Sequence, residues 1–143
     1  MKTVCRISTI AAAMMLLAMA AQAQCSNATL KGDYSFTLEG QILGVGPVNG
    51  VAETHFDGRA TVWQVDFVIH NGAVPSAWRP GTGTYSINPD CTGSATIVPA
   101  TGPTINLEFV VLNNGCEIRT VVADTNYQIN SIGVRACSNR DRE

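Results

Sequence analysis

From Asp33 onward apolar and polar residues trade places at nearly every step, so the apolar side chains recur with a period of two. That period belongs to a strand with one face on a core, because successive side chains point to opposite faces of a sheet. Tyr34, Phe36 and Leu38 share one side of a first segment. Trp63, Val65, Phe67 and Ile69 share one side of a third, and Ile105, Leu107, Phe109 and Val111 one side of a sixth. Asn49-Gly50, Asp57-Gly58, Asn71-Gly72 and Asn114-Gly115 are dipeptides that tolerate positive φ in tight turns, and they mark the breaks. With these boundaries the sequence predicts eight strands, over 33–40, 50–56, 59–70, 82–88, 93–99, 104–113, 116–124 and 130–137. Helical spacing appears only for a turn near Ser26 to Lys31, so the chain reads as all-β.

The turns then predict partners. A two-residue turn at Asp57-Gly58 pairs Phe56 with Arg59, Thr54 with Thr61 and Ala52 with Trp63, which puts Ala52, Thr54 and Phe56 on the side of Trp63 and Phe67. A turn at Asn114-Gly115 pairs Val111 with Ile118, Phe109 with Thr120 and Leu107 with Val122, leaving Glu108 and Arg119 together on the opposite face as a surface ion pair. Between Tyr85 and Ile87 on one side and Ala95 and Ile97 on the other, Asn88-Pro89-Asp90-Cys91-Thr92-Gly93 is turn chemistry. Pro89 fixes φ, Asp90 bonds its own backbone and Gly93 accepts positive φ.

The first 23 residues stand apart from this pattern. Lys2 and Arg6 precede an uncharged run from Ile7 to Ala21 that ends in Ala21-Gln22-Ala23, the form of a secretory signal peptide, which leaves residues 24–143 as one domain. Without Lys2 and Arg6, seven basic residues face eleven acidic ones, a net charge of −4. No basic patch remains, so nucleic acid is not an expected partner, nor is stable membrane insertion after cleavage.

Cys5 leaves with the leader, and Cys25, Cys91, Cys116 and Cys137 remain, an even set that predicts two disulfides in a secreted or periplasmic protein. Their wide spacing, and the distance in sequence of His55 and His70 from all of them, argue against a metal site. If the strands run as an up-and-down meander, the turn bearing Cys91, the turn bearing Cys116, the start of the first strand and the finish of the last all lie at one end. On that basis Cys25 is expected to join Cys137 and Cys91 to join Cys116, the first bridge tying the terminal strands of an eight-stranded antiparallel up-and-down barrel. Closure removes the exposed edges of such a meander. A β-sandwich is the alternative.

Three stretches, Leu30-Lys31-Gly32-Asp33-Tyr34-Ser35-Phe36, Phe56-Asp57-Gly58-Arg59-Ala60 and Gly83-Thr84-Tyr85-Ser86-Ile87-Asn88-Pro89-Asp90-Cys91-Thr92-Gly93, resemble a group of small secreted bacterial proteins. That group is similar in form to the allene oxide cyclase barrel of the calycins. The resemblance implies a calycin-like barrel and supplies no activity: allene oxide cyclases isomerise a lipid epoxide within an apolar barrel, and no catalytic position of that family matches a residue here.

Candidate chemistry is sparse. No G-x-S-x-G, phosphate loop, dinucleotide fingerprint or calcium loop occurs, and no cofactor is implied. His55 and His70 read as solvated residues, and Asp66 and Glu53 as outward acids. An inward Asp66 or Glu53 would instead be a general acid or base. Trp78 and Arg79 lie in the loop Val74 to Pro80, where the tryptophan packs as a lid or meets a partner. The expected ligand-binding set is Tyr34, Phe36, Trp63, Phe67, Trp78, Tyr85 and Phe109. The expected function is binding of a small apolar molecule, or a non-catalytic envelope role, with a cyclase or isomerase and a protein-binding or inhibitory module as alternatives. A cavity of roughly 300 Å³ or more with an inward acid would favour the enzyme, and an apolar cavity without one a binder.

Overall fold

The structure, a computed structural model, describes residues 24–135; the expected leader and Cys137 lie outside them. After a short 3₁₀ turn at Asn27–Thr29 come eight strands: β1 (Lys31–Ile42), β2 (Gly46–Asp57), β3 (Thr61–His70), β4 (Arg79–Ile87), β5 (Thr92–Pro99), β6 (Ile105–Leu112), β7 (Glu117–Val122) and β8 (Tyr127–Arg135). Each pairs antiparallel with the next, and β8 returns to β1, from Tyr34 opposite Arg135 to Ile42 opposite Tyr127. The sheet is a closed up-and-down barrel.

Alternation fills it as expected along most strands. Tyr34 and Phe36 from β1, Ala52 and Phe56 from β2, Tyr85 from β4, Ala95 and Ile97 from β5, Phe109 and Val111 from β6 and Ile118 from β7 are buried in one core. The predicted β6–β7 register is the observed one, with Leu107 opposite Val122, Phe109 opposite Thr120 and Val111 opposite Ile118. Bulky inward residues fit because glycine stands opposite them. A Cβ on Gly133 would run into the Phe36 ring, which lies across it on the next strand.

Three local expectations are overturned. The Asp57-Gly58 turn is longer than two residues: the Asp57 carboxylate Oδ1 accepts the N–H groups of Arg59, Ala60 and Thr61 at 2.7, 2.9 and 3.0 Å, and Phe56 sits opposite Val62. An odd change in loop length reverses parity, so every side chain of β3 faces the other way. Trp63 is consequently outside, 47% exposed, while Val62, Gln64, Asp66, Val68 and His70 face in. Asn49-Gly50 is no turn but lies within β2, where a Cβ on Gly50 would press on the Phe67 carbonyl oxygen at 2.8 Å. In the β4–β5 hairpin it is Cys91, not Gly93, that takes positive φ, at 69°.

The disulfide pairing also differs. Cys25 joins Cys91, with Cα atoms 5.0 Å apart, which excludes both Cys25–Cys137 and Cys91–Cys116. The meander does put these residues at one end, as expected; what decides the pairing is the path of the N-terminal segment. It crosses beneath the barrel from β1 to the β4–β5 turn, where the Cys25 N–H also donates to the Pro89 carbonyl at 3.3 Å. Cys116 is not a free thiol either.

That crossing segment is the floor of the barrel. Leu30 is fully buried. The Tyr85 hydroxyl donates to the Asn27 and Leu30 carbonyls at 3.1 Å each, the Asn27 side-chain oxygen accepts from the Ile87 N–H at 2.8 Å, and the Tyr34 hydroxyl donates to the Gly115 carbonyl. Above it Phe56 meets Tyr34 and Tyr85 edge to face, with centroids 5.3 and 5.0 Å apart.

Candidate functional site

Among the described residues the crossing segment covers one end, and the interior opens toward the other, where the β1–β2, β3–β4, β5–β6 and β7–β8 connections lie. The cavity so formed holds about 400 Å³. Phe36, Leu38, Phe56, Ala95, Ile97, Leu107, Phe109 and Ile118 give it an apolar wall, and Val45, His70, Arg79, Thr101 and Tyr127 stand around the mouth. This volume is that of a small-molecule site. A shallower groove of about 500 Å³ runs across the outer face past Val51, Phe67 and Ile132. It lacks the enclosure and the buried charged groups of the interior.

The interior charges come from the reversed strand. Asp66 is 4% exposed and faces Arg79 across the β3–β4 ladder. The guanidinium donates from Nε to Asp66 Oδ1 at 2.9 Å and from Nη2 to Oδ2 at 2.8 Å, and Nη1 donates to the Thr101 carbonyl at 3.0 Å. Gln64 Nε2 donates to Asp66 Oδ2 at 3.2 Å. The hydrogen bonds to Asp66 push Arg79 above its ordinary range against the opposing effect of burial, with the nearby charge of Asp66 and the Tyr127 phenol adding to the rise. A bidentate pair of this kind is both strong and directional. On β7 and β8 the Thr120 and Ser131 hydroxyls bond to each other at 2.6 Å and add a second polar point to the lining.

The expected ligand-binding residues separate into three groups. Phe36 and Phe109 line the cavity. Tyr34 and Tyr85 are buried in the floor beneath it. Trp63, Phe67 and Trp78 stand outside: Trp78 is 55% exposed and packs on Phe67 with centroids 5.6 Å apart, so it is not a lid. Glu53 and His55 face outward as read from the sequence, His55 Nδ1 lying 2.6 Å from Asp33 Oδ1. Asp66 and His70, expected in solvent, line the cavity instead. Arg119 bonds Glu117 at 2.7 Å, not Glu108.

Sequence reasoning missed Asp66, Arg79 and Gln64 as a group. The one available signal was the lone acid on β3 and the lone arginine at the head of the next strand, which a correct turn length would have set face to face. Among the described residues there is no cluster of His, Cys, Asp and Glu that could hold a metal, and no helix long and apolar enough to cross a membrane. No family model, curated protein or solved structure significantly matches this chain.

Proposed function

We propose that this protein is a secreted or periplasmic barrel that takes up a small, largely apolar molecule through its single open end. The observation that carries this reading is the largely apolar cavity of about 400 Å³, open at one end, over a hydrogen-bonded floor. A barrel that needed only stability would fill its axis with side chains, since interiors pack at the density of organic crystals.

Native mass spectrometry of the protein purified from its own host tests the proposal, with a bound molecule as the expected result. In Val68→Trp, which puts an indole into the cavity wall, that molecule is expected to be lost while the barrel stays folded by circular dichroism. A wild-type protein that carries nothing and binds no apolar probe would defeat it.

One observation favours a second reading, a cyclase or isomerase in which the walls fold the substrate and orientation supplies most of the rate effect. Asp66 is an inward acid in a cavity of sufficient size. Its oxygens, however, already accept hydrogen bonds from Arg79 and Gln64, which ties the carboxylate into the pair instead of turning it toward a guest. A guest recovered isomerised from the wild type and unchanged from Asp66→Asn would establish the enzyme.

A further inference from the structure

We infer that the guest is a neutral amphiphile, an apolar chain ending in a carbonyl or similar hydrogen-bond acceptor, and not a carboxylate. This rests on the cavity reading above and names the class of molecule that the cavity selects. A guanidinium has five N–H bonds; in Arg79 three of them engage Asp66 and Thr101, which leaves two for a guest in the cavity that this residue lines. They are directional donors at the mouth of a chamber whose lining is mostly apolar, and whose Thr120 and Ser131 hydroxyls are already bonded to each other. A pure hydrocarbon would leave them without an acceptor wherever it displaced water, at a cost that a carbonyl avoids.

The charge of the pair decides between acceptors. Asp66 already neutralises Arg79 through two parallel hydrogen bonds and is itself buried. A carboxylate bonded to the remaining N–H groups would lie beside that buried anion on the same guanidinium. Two carboxylates sharing one site cannot both ionise cheaply. A neutral carbonyl takes the same hydrogens without this repulsion. The volume sets the size: at about 30 Å³, the share of one water molecule in the liquid, the cavity of about 400 Å³ corresponds to roughly a dozen small heavy-atom groups.

Equilibrium dialysis of the intact, disulfide-bonded protein at pH 7.5 against 2-undecanone, decanoate and undecane, read by gas chromatography, tests the inference. The ketone is expected to bind at least tenfold more tightly than the carboxylate and several-fold more tightly than the alkane. In Asp66→Asn the arginine becomes an uncompensated cation, and the order of ketone and carboxylate is expected to reverse. In Arg79→Met the ketone and the alkane are expected to become equal. Should either variant fail to fold, the wild-type order alone decides. Decanoate binding the wild type as well as the ketone, or undecane equalling it, would overturn the inference and leave the cavity reading standing. Binding of none of the three would overturn the inference, and the cavity reading would fall with it only if the protein purified from its host also carried no bound molecule.

Discussion

Two buried side chains carry consequences that are testable one residue at a time. Burial, aided by the negative charge of Asp57, pushes the Tyr85 phenol up to about 12, whereas an unfolded tyrosine titrates near 10. A group whose folded value is raised supports the fold fully below the unfolded value and loses that support as pH climbs through the folded one. The contribution of Tyr85 is therefore expected to be constant up to about pH 10 and then to fall toward pH 12, by on the order of 2 kcal/mol. Urea titrations across that range measure it. Tyr85→Phe is expected to lessen the alkaline fall, the rest coming from Tyr34, whose phenol burial also raises, and to lower stability at neutral pH by about 1–3 kcal/mol, since the Asn27 and Leu30 carbonyls lose a buried donor. The second residue is Asp66. Asp66→Ala leaves Arg79 with an uncompensated charge and is expected to cost about 3 kcal/mol, toward the lower end for buried pairs because Arg79 is partly open to the mouth. A double replacement, Asp66→Leu with Arg79→Met, is expected to cost less than either single change, as a denaturation cycle would reveal.

At the scale of strands, the period of two was enough to place all eight, the largest shift being β2, which begins at Gly46 and not at residue 50. The register between β6 and β7 was equally legible because Asn114, with φ of 54°, takes the left-handed conformation that its turn demands. What stayed hidden was the facing of β3, for a physical reason. Asp-Gly fits a two-residue hairpin and also a longer loop in which the carboxylate collects successive N–H groups, and only the folded chain shows that Asp57 does the latter. Hydrophobicity could not correct the error, since Trp63, Val65 and Phe67 make the outer face of β3 more apolar than its inner one. The buried ion pair and the polar rim vanished from view with that single slip. Glycine placement is a further element-level test. Gly133→Ala should destabilise by about 1–3 kcal/mol because its methyl would enter the Phe36 ring, and Phe36→Leu should recover part of the loss in a double mutant.

For the whole molecule, the closing of the sheet and the placing of the disulfide are separate matters. β8 pairs with β1 through their backbones, without a covalent link between Cys25 and Cys137. The Cys25–Cys91 bond instead pins the crossing segment under the barrel and spans 66 positions, which corresponds to about 4 kcal/mol in the chain-entropy treatment. Non-reducing peptide mapping is expected to return that pair. Reduction is expected to lower the midpoint of urea unfolding and to expose the amides of Leu30 and Ile87 to hydrogen exchange before those of β6 and β7. The crossing also gives the molecule a back and a front. Cys25 and Arg135, at the two limits of the described chain, both sit on the sealed side, the Arg135 guanidinium donating to the Lys31 carbonyl at 2.8 Å. A resin, a label or a fused neighbour attached at either limit would thus hold the vessel by its base, with the doorway turned to the solvent.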